Sequence, residues 1–219
     1  MERSDAVLVR GYEPRDRTAV RRICCDTADR GEPVERFFRD RELFADLLTR
    51  YYTDWEPEAV WVAEQDGQVV GYVTGCLDTA RYRWRMARRI IPWTVLQGVC
   101  RGVLWSPEAW RFLKAAVQTW RVGRLGLANS LEAYPAHLHV NLRRGSRGHG
   151  VGRRLVERFI EQVAARGLPG LHAAVRDDNH SACHFFERLG FGILSRHRVV
   201  FPDGATLTEH ETRVYGKTL

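Results

Sequence analysis

Val7, Leu8 and Val9 form a short β-type run, and Glu13-Pro14-Arg15-Asp16 turns the chain into a helix. On that helix Val20, Ile23 and Cys24 recur at helical spacing, which predicts one buried stripe. A second helical stretch covers about 39–52, with Leu43, Phe44, Leu47 and Leu48 as its apolar face. The pattern then changes to β-rich runs at 59–64 and 69–76. Between them lies Gln65-Asp66-Gly67-Gln68, whose Asp-Gly pair signals a hairpin of two antiparallel strands.

Residues 79–130 interrupt this order with five tryptophans, Trp84, Trp93, Trp105, Trp110 and Trp120, and with arginines between them. Pro92 and Ser106-Pro107 divide the stretch. Ser106 reads as a helix N-cap with Pro107 at the first helical position, so that Trp110, Leu113, Val117 and Trp120 share one face. Three roles stay open: a helical subdomain packed on the sheet, a lid over an acceptor site, or a basic amphipathic helix on a membrane surface. Beyond it, α/β alternation resumes. Strands are expected at 137–142 and 171–175, and helices at 152–166 and 179–189. Two closing strands, 193–201 and 206–215, turn at Pro202-Asp203-Gly204.

A chain of 219 residues, 44% hydrophobic, has the material for one cored domain over 1–219, with 81–130 inserted. Its apolar stretches are far short of the ~20 residues that span a bilayer. Met1-Glu2-Arg3-Ser4-Asp5 lacks the features of a signal peptide, so a cytoplasmic protein is expected. The net charge is +7, almost all from arginine, scattered along the chain and without zinc-finger spacing or an aromatic RNA-binding motif. Nucleic acid is not an expected partner; attraction to phosphate-bearing anions is the functional reading of the charge. Cys24, Cys25, Cys76, Cys100 and Cys183 are odd in number and have no metal-ligand spacing. They read as buried thiols, and no metal is expected.

The sharpest local signal is Arg147-Gly148-His149-Gly150-Val151-Gly152, between a predicted strand and a predicted helix. Glycines there let the backbone turn tightly and leave its amides uncovered. The following helix, with Leu155, Val156 and Phe159 as its stripe, aims its N-terminal amides at the same place, which suits a pyrophosphate. Arg147, Arg153 and Arg154 add countercharge. No Gly-Lys-Ser/Thr ending makes it a P-loop, and no acidic residue closes the next strand as a dinucleotide fold requires.

Arg147-x-x-Gly150-x-Gly152 after a strand resembles the acyl-CoA motif of the GCN5-related N-acetyltransferases (GNAT). Val175-Arg176-Asp177-Asp178-Asn179, Ala182 and Phe185-Phe186-Glu187-Arg188-Leu189-Gly190-Phe191 resemble that family's second motif, in the right order. A narrower match, Tyr134-Pro135-Ala136-His137-Leu138-His139-Val140, is similar to a bacterial branch resembling the acetyltransferase-like domain of O-GlcNAcases. The resemblance implies an α/β GNAT fold. A mixed, twisted sheet with helices on both faces would splay so that acetyl-CoA enters between two central strands, and the Trp-rich helical stretch would be an insertion.

The resemblance also implies a site. Arg147, Gly148, His149, Gly150, Val151, Gly152 and Arg153 would cradle the CoA pyrophosphate. Leu142 would offer a backbone N–H to the thioester oxygen, and Asn179 would contact the pantetheine arm. Phe186 stands at the CoA-side position where many relatives carry a tyrosine acid, and phenylalanine has no proton to give. Asn141 stands where the branch carries an acidic residue.

Strand alternation places His137, His139 and Asn141 on one face. An imidazole next to the CoA slot is a candidate base near neutral pH, His139 first and His137 second; as structural partners the two histidines are equally well explained. Asp26, Glu32 and Asp78 are alternatives. The leading function is acetyl transfer from acetyl-CoA to a primary amine by direct attack, the acceptor a small metabolite or amine-bearing natural product. A protein lysine or N-terminus as acceptor, and a CoA-binding module with little turnover, are the other readings. A homodimer through the insertion or the last strand is compatible with the sequence.

Overall fold

The computed structural model describes residues 7–122, 132–203 and 206–219. The Trp120 side chain, the end of the insertion and Gly204 of the predicted turn lie outside the described residues. In chain order the elements are β1 (Leu8–Gly11), α1 (Arg17–Asp26), α2 (Arg41–Trp55), β2 (Val60–Gln65) and β3 (Gln68–Cys76). The insertion supplies α3 (Thr79–Arg85), α4 (Ile91–Cys100) and α5 (Pro107–Val122). Then come β4 (Ala136–Leu142), α6 (Val151–Ala165), β5 (Gly170–Arg176), α7 (His180–Arg188), β6 (Gly192–Asp203) and β7 (Thr206–Thr218).

Among these residues seven strands form one mixed sheet in the order β1-β2-β3-β4-β5-β7-β6, as the α/β expectation requires. Asp66 and Gly67 both have left-handed φ, 51° and 74°, which a two-residue type I′ hairpin needs. On one face Leu155, Val156, Phe159 and Val163 of α6 pack with Val73, Leu138 and Leu171. Gly75 of β3 lies directly under Phe159, so close that an added Cβ would overlap the ring. On the other face Val20 and Ile23 of α1 and Leu43 and Phe44 of α2 meet Val62 and Tyr72.

Two expected faces turn out differently. In α2 the inward stripe runs on through Thr49, Tyr51 and Tyr52 while Leu48 is exposed. Thr49 can go inside because its hydroxyl donates to the Ala45 carbonyl at 2.6 Å. Ser106 caps α5 as expected, accepting from Ala109 N–H at 3.2 Å, yet Trp110, Leu113 and Val117 face solvent. It is the Ala109–Phe112–Ala115 side that faces the protein. Thr119 donates to the Val200 carbonyl at 3.1 Å and accepts from Val200 N–H at 2.8 Å. Small residues let α5 lie close, and its threonine satisfies groups of an edge strand that would otherwise be free.

The feature that positions the site is the meeting of β4 and β5, the one parallel pair among the described residues. It has two rungs, Ala136↔Leu171 and His137↔His172. From there β4 follows β3 as far as Gly71↔Leu142, and β5 follows β7 as far as Arg176↔Thr212. Past His137 the sheet is forked.

Candidate active site

Arg143 N–H donates to the Val70 carbonyl at 2.9 Å. In an antiparallel ladder the bonding direction alternates, so the N–H and C=O groups of Leu138, Val140 and Leu142 point away from β3, toward β5. Beyond the second rung they face the gap of the fork. Arg147 folds back over this edge, its Nε and Nη2 donating to the Leu142 carbonyl at 3.2 and 3.1 Å. The guanidinium fills the space where a side chain at Gly31 would stand.

The glycine turn closes the open end. Gly148 and Gly150 have φ of 84° and 75°, and no atom lies within 4 Å of where their Cβ would be. Glycine is needed there for backbone conformation, and the space above the turn is open. Gly150 is the N-cap of α6. The first intrahelical donor is Arg154 N–H, to the Gly150 carbonyl at 3.1 Å, which leaves the amides of Val151, Gly152 and Arg153 without an intrahelical acceptor. Gly152 is buried against Leu142 and Phe185, which ties the start of α6 to the end of β4. His149 and Arg153 are exposed, Arg153 pairing with Glu157 at 2.7 Å.

Asn179 and Phe186 have structural employment. Asn179 caps α7, its Oδ1 accepting from Ala182 N–H at 3.2 Å. Phe186 is buried, stacked on Tyr215 with centroids 6.0 Å apart, and Phe185 takes the half-buried position beside Gly152.

At the crotch of the fork the α1/α2 face carries three imidazoles. His137 is buried. Thr79 Oγ1 gives its one proton to the Pro135 carbonyl (2.7 Å), so it must accept from His137 Nδ1–H at 2.7 Å. His137 Nε2 is therefore the lone pair and accepts from Tyr52 O–H at 2.9 Å. Burial, then the neighbouring His139 and His172, hold its pKa well below the usual histidine value.

His172, the partner of His137 across the second rung, donates from Nδ1 to the Tyr134 carbonyl at 2.9 Å and is also shifted down by burial. His139 lies 5.9 Å from His137 and 6.0 Å from Tyr52, centroid to centroid. Of the three imidazoles, His139 is the exposed one, His172 is half-buried and His137 is buried. Desolvation, then His172, push its pKa down to about 4. Solvent reaching the ring weakens that effect without reversing it.

Asn141 donates from Nδ2 to Thr27 Oγ1 at 2.6 Å, and Thr27 donates onward to the Ile23 carbonyl at 2.7 Å. Residues 27–32 cross the fork above it. Gly31 meets Arg147 at the β4 end, and Arg30 pairs with Asp178 at the β5 end at 3.2 Å. Burial opposes ionisation of Asp178, but the Arg176 guanidinium at 2.7 Å outweighs it and holds the carboxyl below its usual range. The other carboxylates considered from sequence are engaged: Asp26 pairs with Arg41, Asp78 caps α3, and Glu32 lies 3.8 Å from Arg144. Sequence reasoning brought Glu32 near the acceptor as a candidate base, but missed His172 and the course of residues 27–32 over the fork, because both depend on which strands run side by side.

The acetyltransferase (GNAT) family model matches residues 122–191, a stretch that holds β4, the glycine turn, β5 and α7. A crystal structure of SsHAT is 28% identical with a TM-score of 0.71, covering 97% of this chain and 98% of that one. The structure of yncA from Salmonella typhimurium, solved with its cofactor acetyl-CoA, is 15% identical at a TM-score of 0.59 over 98% and 94% of the two chains. A ribosomal-protein-alanine N-acetyltransferase from Brucella melitensis is 18% identical at 0.57 over 97% and 99%. These last two are likenesses of fold.

Proposed function

Because the chain carries an acetyltransferase domain of the GNAT superfamily with acetyl-CoA as co-substrate, we propose that it acetylates a primary amine by direct attack. The acceptor class is a small metabolite or amine-bearing natural product. In this reading one domain spans 1–219, belongs to the branch similar to the acetyltransferase-like domain of O-GlcNAcases, and works in the cytoplasm. The observation that carries it is the fork, with an amide-lined turn at its open end and His139 just past its crotch.

When bound, acetyl-CoA supplies a thioester carbonyl open to attack by an amine. The residues present fit such a molecule. The turn from Arg147 to Arg153 offers amides and positive charge to its diphosphate, and the free edge of β4 offers N–H and C=O groups to its amide arm. Leu142 N–H faces the gap as the oxyanion donor. His139, held neutral by its surroundings, takes the amine proton, while His137, whose two nitrogens are engaged, orients Tyr52. Asn141 holds residues 27–32 over the acceptor side through Thr27. The thiolate leaves without an acid from Phe186; general acid help is worth ~10²–10⁴-fold where present, and water serves here more slowly. A CoA-binding module with little turnover is the second reading, favoured by the buried Phe186 and by the engagement of Asn141 with Thr27.

The test combines calorimetric titration of acetyl-CoA with free-thiol release across small amines, amino sugars and lysine peptides. Gly150→Glu should abolish binding, since its φ and its charge both oppose the site. His139→Ala should bind normally and lose about 10²-fold in kcat. Release with peptides alone would change the acceptor class. Tight binding without release from any amine would establish the second reading.

A further inference from the structure

The insertion wears its apolar side outward. α4 contains no charged residue. The side it turns inward carries Thr94 and Gly98, with Gly98 packed against Leu104 and Leu43. Ile91, Val95, Leu96 and Val99 are 45–51% exposed. α5 repeats the inversion, Ala109 and Ala115 inward and Trp110, Leu113 and Val117 outward; between the two helices Trp105 is 75% exposed. Ten of the 14 exposed large hydrophobics among the described residues fall within 84–117. Exposed apolar side chains gathered in one segment mark a place where something else docks.

The charge has the same address. Residues 81–119 hold eight basic side chains against Glu108 alone, which accounts for the whole net charge of +7. The other 26 basic and 26 acidic residues balance in number: basic residues are scattered along the chain as expected, and their numerical excess falls in this stretch, where Arg81 and Arg101 reach out to Glu56 and Asp40. Arg83, Arg88, Arg89 and Lys114 are exposed, with Arg88 lying over Trp84 at 5.1 Å.

We propose that the insertion docks on an anionic lipid bilayer surface, with α4 and α5 lying in the interface. A bilayer offers what both properties ask for: negative headgroups for arginine and an apolar boundary layer for tryptophan and aliphatic side chains. A second copy would set +7 against +7, and a nucleic acid would leave the Ile91–Val99 face in water. No helix among the described residues is long and apolar enough to cross a membrane, so the contact is peripheral. It would hold the acetyltransferase site beside acceptors that lie on, or are released from, that surface.

The experiment uses the full chain with vesicles of phosphatidylcholine alone or with about 30% phosphatidylserine. It reads co-sedimentation and the blue shift of tryptophan emission. Partition should be at least about tenfold stronger into the anionic vesicles and weaken in about 0.5 M salt. Leu96→Glu/Leu113→Glu, at two exposed positions, should lose vesicle binding while keeping acetyl-CoA affinity in calorimetry. Arg88→Gln/Arg89→Gln should reduce the preference for phosphatidylserine while leaving partition into phosphatidylcholine unchanged. Equal partition into both vesicle types would overturn the proposal. So would absent vesicle binding with a dimer that Leu96→Glu/Leu113→Glu dissolves, or with salt-sensitive retention on DNA.

Discussion

Hydroxyls occupy both nitrogens of His137, Thr79 on one side and Tyr52 on the other. That arrangement holds the ring neutral and has a consequence for stability. In the unfolded chain a histidine titrates near pH 6.5; in the folded protein burial keeps His137 well below that. Below about pH 6.5 the unfolded state therefore binds a proton that the folded state refuses, and stability falls as the pH drops; above it the contribution is complete. His139 and His172 are shifted the same way and add to the slope. Urea unfolding at pH 7 and pH 5 should show the loss, and His137→Gln, though weaker at pH 7, should flatten it. An unchanged slope in the variant would mean that His137 is not the titrating group. The shared face of His137, His139 and Asn141 was legible from strand alternation alone. Which of them has a free nitrogen was not, because Thr79 and Tyr52 come from elements 58 and 85 residues away.

At the scale of elements, glycine serves two different needs. Gly75 is demanded by the approach of α6 to β3 and Gly148 by its left-handed φ in open space. Gly75→Ala drives a methyl into the Phe159 ring and should cost about 2–3 kcal/mol or more. Gly148→Ala meets nothing and should cost only the conformational penalty, about 1 kcal/mol. Denaturant midpoints separate the two; a neutral Gly75→Ala would show that β3 and α6 can move apart. The Asp66-Gly67 hairpin and the strand–turn–helix around Gly150 were readable because turn chemistry is local. The facing of α5 was not. Periodicity finds an apolar stripe but does not say on which side the protein lies, and here the alanines and Thr119 decide it.

In the whole molecule, β1–β4 and β5–β7 are two antiparallel halves joined through a parallel seam of two rungs. A ligand seated in the fork touches both halves and favours the folded state in proportion to its occupancy. Acetyl-CoA at about 100 times its Kd adds about 2.7 kcal/mol. For a domain of this size that is a rise in Tm of roughly 5–10 °C. Thermal unfolding followed by fluorescence should show the rise for the wild type and none for Gly150→Glu. Equal rises in both would place the ligand away from the turn.

The fork also has a meaning for self-association. Free strand edges usually sit at the rim of a sheet, where they can recruit a strand from another molecule. Here β4 keeps an unpaired edge in the middle of the sheet, with β5 parting from it after two rungs and residues 27–32 passing overhead. A full polypeptide strand would have to fit its side chains beneath residues 27–32, whereas a slender, unbranched chain carrying amides would not. The wedge thus acts as a gauge of thickness. It leaves backbone hydrogen-bonding groups available to a ligand without exposing the protein to the templated aggregation that such groups invite elsewhere.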